Sequence, residues 1–162
     1  MKKIKQTGLT AIFACDEKWG IGKDGDMPWP TQKHDMKWFQ SVTEESTIVM
    51  GRITWDSLPK KPLSNRKNIV VTRRPAAGAD EYWSTSKLLH ELSNKDFKET
   101  AIIIGGAQLF NLVRDNVDHI LITKISGDWE CDTILPYEYI KKNFKKTKVE
   151  HKHIEIESWK RK

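Results

Sequence analysis

One acidic residue lies among apolar side chains in the segment "TQKHDMKWFQSV". If this segment is a helix, Asp35 and Met36 both share a face with Phe39, because residues three and four apart are neighbours on a helix. A carboxylate on such a face needs a ligand or a buried donor, and burial would raise its pKa toward values useful for proton transfer. Single acids usually lie on the surface or cap a helix, so the helix alone leaves both interpretations of Asp35 open.

Two other stretches share the order strand, glycine, helix. In "STIVMGRITWDSL" a predicted strand ends at Gly51, and in "TAIIIGGAQLFNLV" one ends at Gly105 and Gly106. Glycine lets a ligand approach the backbone, and the first turn of the next helix offers free N–H groups to a phosphate. Each turn alone is weak evidence, since glycine is also the ordinary residue of tight turns. Together they indicate a diphosphate held between them, although neither is the GxGxxG fingerprint of a standard NAD site.

Arginines follow another predicted strand in "VVTRRP". Arg73 and Arg74 at the carboxyl end of a strand are suited to a phosphate monoester, and Arg52 could approach the same place from the neighbouring turn. An arginine-rich adenosine end favours NADP over NAD. The alternative is that these arginines are ordinary surface residues without a ligand.

The elements that must position these residues alternate along the chain. Apolar or β-branched runs predict strands at Leu9–Cys15, Thr47–Met50, Asn68–Val71, Thr100–Ile104 and His119–Ile125. Helical patterns lie between them at Gln32–Val42, Ile53–Leu58, Ser86–Leu92 and Ala107–Val113. This alternation predicts an α/β fold with a largely parallel sheet and helices on its faces. The last segment, "FKKTKVEHKHIEIESWK", predicts an antiparallel hairpin at one edge, with its turn at about Glu150–His153.

Composition restricts the class of protein. A chain of 162 residues with 38% hydrophobic residues predicts a single domain spanning residues 1–162. The formal charge of +6 fits a basic enzyme that attracts anionic small molecules, or a solvated basic face, better than a nucleic-acid binder, since no nucleic-acid motif accompanies the lysines. Two cysteines without a CxxC pair predict neither a metal site nor a disulfide framework and fit a cytoplasmic protein. The apolar run after the amino-terminal lysines is too short for an export signal, and no membrane segment is expected.

Several ordered motifs resemble one enzyme family. "GIGKDGDMPW", "DMKWF", "IVMGRITWDSL", "PLSNRKNIVVTR", "IIIGGAQLF", "ILITKI" and "CDTILP" occur in the order and at about the spacing of the dihydrofolate reductases. The resemblance implies an eight-stranded, mostly parallel sheet with an antiparallel carboxyl-terminal hairpin edge and four flanking helices. It also implies a cytoplasmic monomer that uses NADPH to reduce 7,8-dihydrofolate to tetrahydrofolate for one-carbon and thymidylate metabolism, and that binds antifolates.

The resemblance assigns roles to residues on the substrate side. Asp35 matches the pocket carboxylate that holds the pterin and promotes its protonation at N5, with water delivering the proton. Trp29 and Thr123 match residues that order solvent and hydrogen bonds around that carboxylate. Arg66 matches the arginine that pairs with the α-carboxylate of the substrate. The remaining matches to the pterin and aminobenzoyl region are Ile12, Met36, Phe39, Leu58, Leu63 and Ile104.

On the cofactor side, the two glycine turns match the phosphate-binding turns of the family, where the Gly105–Gly106 bond is typically cis. Gly20 to Trp29 match the mobile lid over the nicotinamide, which excludes water. The individual matches are Ala14, Ile21 and Gly22 along the nicotinamide; Gly51, Arg52, Ile53 and Thr54 in the first turn; Thr72 and Arg73 at the ribose phosphate; and Gly105, Gly106, Ala107, Gln108 and Leu109 in the second turn.

The chain departs from the family pattern in three places. One extra residue lies between Trp29 and Asp35, Ser64-Asn65 replaces the usual Pro-Gly before Arg66, and the final hairpin has a short centre. Asn tolerates positive φ better than most residues, so the turn before Arg66 is expected to survive. The nearest alternative enzyme is the pyrimidine reductase of riboflavin synthesis, which generally lacks counterparts of Asp35 and Arg66. A basic nucleic-acid module is the alternative outside enzymes, and its binding would weaken steeply with salt.

Overall fold

A computed structural model of the chain describes residues 8–151 and 153–162. The strands in this part of the chain are β1 Leu9–Cys15, β2 Gly20–Gly22, β3 Thr47–Gly51, β4 Lys67–Val71, β5 Glu81–Trp83, β6 Ala101–Gly105, β7 Val117–Lys124, β8 Thr133–Ile134, β9 Phe144–His151 and β10 Ile154–Arg161. Eight of them form one sheet in the order β5-β4-β3-β6-β1-β7-β10-β9, while β2 and β8 pair separately.

The sheet is parallel except at one edge. β1 pairs in parallel with β6 and β7, β3 with β4 and β6, and β4 with β5. β10 runs antiparallel to both β7 and β9. The prediction of a mostly parallel sheet with an antiparallel hairpin edge is therefore confirmed. Because parallel strands all point the same way, the carboxyl ends of β3, β6, β1 and β7 meet along one side of the sheet.

The helices cover both faces of this sheet. They are α1 Lys33–Thr43, α2 Arg52–Ser57, α3 Thr85–Glu91, α4 Lys95–Thr100, α5 Ala107–Val113 and α6 Tyr137–Asn143. The four predicted helices are confirmed as α1, α2, α3 and α5. The sequence patterns missed α4 and α6, each only two turns or less, and likewise the two- and three-residue strands β2, β5 and β8.

Alternation of side chains along β1 separates two buried layers. Leu9, Ala11 and Phe13 face one core cluster, which α3, α5 and α6 complete with Leu88, Phe110 and Ile140. Ile12 faces the opposite cluster, which α1 completes with Trp38 and Val42. A third cluster on β3 and β4 is closed by Trp55 of α2. The central strands are thus buried on both faces, as is typical of parallel strands with continuous apolar sequence.

The hairpin turn is shorter than predicted. Ile154 pairs with His151 and Glu155 with Glu150, so Glu150 and His151 belong to β9 rather than to the turn. β9 ends at His151 and β10 begins at Ile154, and His153 between them has a φ of 64°. Lys152 of the predicted turn and the amino-terminal lysines considered for an export signal lie outside the described residues. Within the described part of the chain, no helix has the length and apolarity to cross a membrane.

Candidate active site

Asp35 lies in the first turn of α1 and faces the carboxyl end of β7. It is half-buried and lines a polar recess of about 380 Å³ together with Thr123, Trp129 and His153. Burial raises the pKa of Asp35 above its ordinary value, and the Thr123 hydroxyl lowers this pKa by a smaller amount. The structure therefore brings together a carboxyl group biased toward protonation and a threonine next to it, as an acid–base site requires.

Thr123 lies next to this carboxyl group, and Trp29 contacts Trp129, which lines the same recess. Trp29 is buried, and its ring meets that of Trp129 edge to face at 6.5 Å between centroids. Thr123 is paired in register with Ala14 of β1. Its Oγ1 is fully buried and makes no hydrogen bond of good geometry within residues 8–151 and 153–162. A buried hydroxyl in this state is available to a polar group of a ligand.

Apolar residues predicted for the substrate form two contiguous groups. Phe39 and Ile104 pack against the cluster that contains Ile12, and Leu58 and Leu63 pack against the cluster on β3 and β4. Ile104 contacts both clusters, so the two groups are continuous. Met36 is 59% exposed and Ile53 of α2 is 64% exposed. Large exposed apolar side chains beside half-buried ones are typical of a ligand-binding groove.

Arg66 lies just before β4 and is half-buried. Its Nε donates to the Ser64 carbonyl at 2.9 Å, and its Nη1 donates to Thr43 Oγ1 at 3.0 Å. Burial lowers the pKa of Arg66, while the nearby Glu44 carboxylate opposes this change; an arginine remains charged under either influence. Asn65 has a φ of 59°, so the turn with Asn in place of glycine is formed as expected.

The two glycine turns are adjacent in space. A Cβ placed on Gly51 would lie 3.8 Å from the Gly106 backbone nitrogen, at ordinary contact distance. At Gly105, whose φ is +138°, a Cβ would lie 3.0 Å from the Thr54 hydroxyl. The Gly105–Gly106 peptide bond is cis, as the family resemblance implies. The turns that follow β3 and β6 therefore form one backbone cradle, which fits the diphosphate of a dinucleotide cofactor.

The arginines that follow β3 and β4 differ in the hydrogen bonds of their side chains and in exposure. The Arg52 guanidinium bonds to Asp56 at 3.2 Å and to the Pro75 carbonyl at 3.0 Å. Arg73 and Arg74 are exposed, and the backbone N–H of Arg74 donates to Thr72 Oγ1. Leu109, also predicted for the cofactor, is buried in the core below α5, whereas Ala107 is half-buried and Gln108 exposed. Leu109 therefore offers a ligand only its backbone.

The lid segment is formed by β2 and the turn after it. Gly20 and Gly22 pair with Ile134 and Thr133 of β8, which leaves Ile21 and Gly22 half-buried. Asp24 then donates its N–H to Asp132 at 3.0 Å. A Cβ on Gly25 would lie 3.6 Å from Ile53, so the tip of the lid reaches α2 and spans the space between β1 and β3.

Sequence reasoning missed four residues that hold the site together. Asp16, fully buried, accepts hydrogen bonds from the backbone of Gly20 and of Trp129. Burial alone would raise the pKa of Asp16, but its backbone N–H donors hold that pKa below the ordinary value. Thr43 and Asn68 contact Arg66, and Trp129 contacts Trp29. The signal that could have revealed Asn68 is its type, since asparagine is unusual inside an apolar strand.

The chain is similar to known dihydrofolate reductases along almost its whole length. A family model described as "Dihydrofolate reductase" matches residues 8–160. The dihydrofolate reductase of Bacillus subtilis (strain 168) is 37% identical over 137 residues, which cover 85% of this chain and 80% of that protein. The dihydrofolate reductase of Sus scrofa is 35% identical over 147 residues, covering 79% and 78% respectively.

A solved structure is similar over the whole fold. The dihydrofolate reductase from Enterococcus faecalis, in complex with NADP(H) and RAB-propyl, superposes with a TM-score of 0.76 at 28% sequence identity. The match covers 97% of this chain and 98% of that one.

Replacing Thr123 by valine should raise the pKa of Asp35, because valine keeps the shape of threonine and removes the hydroxyl that lowers that pKa. The measurement is an NMR titration of the Asp35 carboxyl carbon in both proteins. Thr147→Val, on the exposed side of β9, is the matched control and should leave the titration unchanged. An Asp35 pKa that stays the same or falls in Thr123→Val would contradict this contact.

Proposed function

Because the chain belongs to the dihydrofolate reductase family and so catalyses the NADPH-dependent reduction of 7,8-dihydrofolate to 5,6,7,8-tetrahydrofolate, we propose which of its residues carry each part of that reaction. The observation that carries the proposal is the half-buried Asp35, whose pKa is raised by burial, beside an apolar groove and a glycine cradle. A carboxyl group in this environment is suited to proton chemistry on a bound heterocycle.

Asp35 binds the 2-amino and N3 edge of the pterin through paired hydrogen bonds. Its negative charge favours the protonated pterin, and water delivers the proton that ends on N5. Thr123, whose buried hydroxyl lacks a well-formed partner among the described residues, accepts from or donates to the same edge. Trp29 orders the solvent that reaches the carboxylate.

The apolar residues orient the ring system. Phe39, Leu58, Leu63 and Ile104 contact the pterin and aminobenzoyl rings from the half-buried groove, with Met36 at its rim and Ile12 below it. Arg66 pairs with the α-carboxylate of the substrate at the far end. The planar guanidinium can bind a carboxylate through two N–H groups, a geometry that lysine does not reproduce.

NADPH supplies the hydride when it is bound. Gly51, Arg52, Ile53 and Thr54 receive one side of its diphosphate through backbone and side-chain donors, and Gly105 to Leu109 receive the other side. Thr72 and Arg73 bind the phosphate on the adenosine ribose. Ala14, Ile21 and Gly22 would contact the nicotinamide, and closure of the lid over it would exclude water.

The chain acts as a monomer in the cytoplasm, as one domain over residues 1–162, and binds antifolates in the pterin groove. The two free cysteines, Cys15 and Cys131, support a reducing compartment. The family match over residues 8–160 supports a single domain. No partner other than small molecules is proposed.

Asp35→Asn should lose roughly 10²- to 10⁴-fold in turnover near neutral pH, because the amide keeps the shape and loses the charge that favours a protonated pterin. The loss should shrink at low pH, where solvent protonates the pterin more readily. The measurement is NADPH absorbance with and without dihydrofolate, across a pH series. An equal turnover of both proteins over the whole pH range would rule out the role of Asp35.

Arg73→Ala should weaken NADPH far more than NADH, because only NADPH carries the ribose phosphate. Loss of a charged hydrogen bond should change the preference between the two cofactors roughly 10- to 100-fold. Dissociation constants of both cofactors give the answer, with Lys87→Ala as a control at an exposed cation on α3. If both cofactors weaken equally, the phosphate binds elsewhere, with Arg74 and Arg52 as the next residues to test.

The lid should move between closed and open positions without a populated state in which it enters the nicotinamide site. Such a state needs a contact that stabilises it and not the other states. At most two residues separate the end of β9 at His151 from the start of β10 at Ile154, and the His153 ring lies 4.6 Å from the ring of His34 in α1. NMR spectra or crystals of the complex with tetrahydrofolate and oxidised cofactor provide the measurement. Insertion of Met27 into the nicotinamide site would show the expectation to be wrong.

A further inference from the structure

The Arg66 side chain is held in one orientation by hydrogen bonds within the protein. Two acceptors hold it, the Ser64 carbonyl at Nε and Thr43 Oγ1 at Nη1. A guanidinium carries five N–H donors, so three remain for another ligand. These are enough for a two-point contact with a carboxylate.

Thr43 is the last residue of α1 and is fully buried. Its hydroxyl donates to the Phe39 carbonyl at 2.7 Å. Because a hydroxyl has one hydrogen, this bond leaves Thr43 Oγ1 as an acceptor toward Arg66. The contact therefore has a defined direction, in which the guanidinium donates and the hydroxyl at the end of α1 accepts.

Asn68 holds the backbone on which Arg66 is carried. It is fully buried in β4, and its side chain accepts from the Leu63 N–H at 3.0 Å. The same amide donates to the Leu63 carbonyl at 2.9 Å and to the Arg66 carbonyl at 3.0 Å. Both ends of the Leu63–Arg66 segment are thus tied to one side chain, across a turn in which Asn65 has positive φ.

We propose that Thr43 and Asn68 are positioning residues that pre-organise Arg66 for the α-carboxylate of the substrate. Thr43 orients the guanidinium, and Asn68 sets the backbone of the loop that carries it. Pre-organisation reduces the ordering that binding would otherwise require, so its effect is on affinity for the carboxylate. The inference rests on the proposed role of Arg66.

The test compares 7,8-dihydrofolate with its analogue in which the α-carboxylate is an amide. The measured quantity is kcat/KM for dihydrofolate divided by kcat/KM for the amide analogue. Both values come from one preparation, so that a loss of folded protein cancels in the ratio. Thr43→Val and Asn68→Ala should each lower this ratio about 3- to 10-fold, through KM rather than kcat, as expected for the loss of a positioning hydrogen bond. Thr43→Ser keeps the hydroxyl and should keep the ratio.

The variant Arg66→Leu tests the role of Arg66 separately from the positioning roles of Thr43 and Asn68. It should lower the ratio roughly 10- to 100-fold, the scale for a lost charged hydrogen bond, and Thr43→Val should add nothing in that background. If Arg66→Leu leaves the ratio unchanged, the proposed role of Arg66 fails. If Arg66→Leu lowers the ratio but Thr43→Val and Asn68→Ala do not, or if Thr43→Val lowers it equally without Arg66, the positioning role is overturned.

Discussion

The partial burial of the Asp35 carboxyl group, at a polar recess beside apolar side chains, is the constraint on which the site depends. Burial disfavours its charged form and raises its pKa, and the Thr123 hydroxyl opposes this effect by a smaller amount. Such a group persists only where the surrounding backbone cannot relax to admit a better partner or more water. The strands β1, β6 and β7 supply that rigidity, because apolar clusters pack on both of their faces. A less rigid sheet would admit water to Asp35, so that its pKa would return to the ordinary value and its bias toward protonation would be lost.

The order of the strands in the sheet also determines which distant parts of the chain lie close together. Gly51, Gly105 and Thr123 are far apart in sequence, but each lies at or near the carboxyl end of a strand in the contiguous set β3, β6, β1 and β7. Parallel pairing alone therefore places the glycine cradle and the acid–base pair on one side of the sheet. The antiparallel hairpin ends the set beyond β7 and contributes His153 and Glu155 to the recess beside Asp35.

The sequence predicted what depends on local pattern and missed what depends on contacts between distant segments. Five buried strands and four helices were predicted because each carries a continuous or periodic apolar signal. The strands β2, β5 and β8 have two or three residues and lack such a signal, and α4 and α6 are too short to show a clear period. At the site, family motifs indicated Asp35, Arg66 and the glycine turns. Thr43 and Asn68 were missed because they contact Arg66 through individual side-chain hydrogen bonds, Thr43 from the distant end of α1 and Asn68 across a turn, which no spacing rule encodes.

The cationic and acidic side chains of the candidate site lie in different places. The cations assigned to ligand anions, Arg66 and Arg73, lie at the two ends of β4, whereas the half-buried acid, Asp35, lies beside Thr123 at the carboxyl end of β7. A bound substrate carboxylate and a bound ribose phosphate would each neutralise the cation at its own end. Burial and the Thr123 hydroxyl, rather than an arginine, are the causes of the shift in the pKa of Asp35. An arginine beside this carboxylate would hold it ionised and remove its bias toward the proton, so the proposed proton chemistry of Asp35 depends on burial beside a hydroxyl rather than on a neighbouring cation.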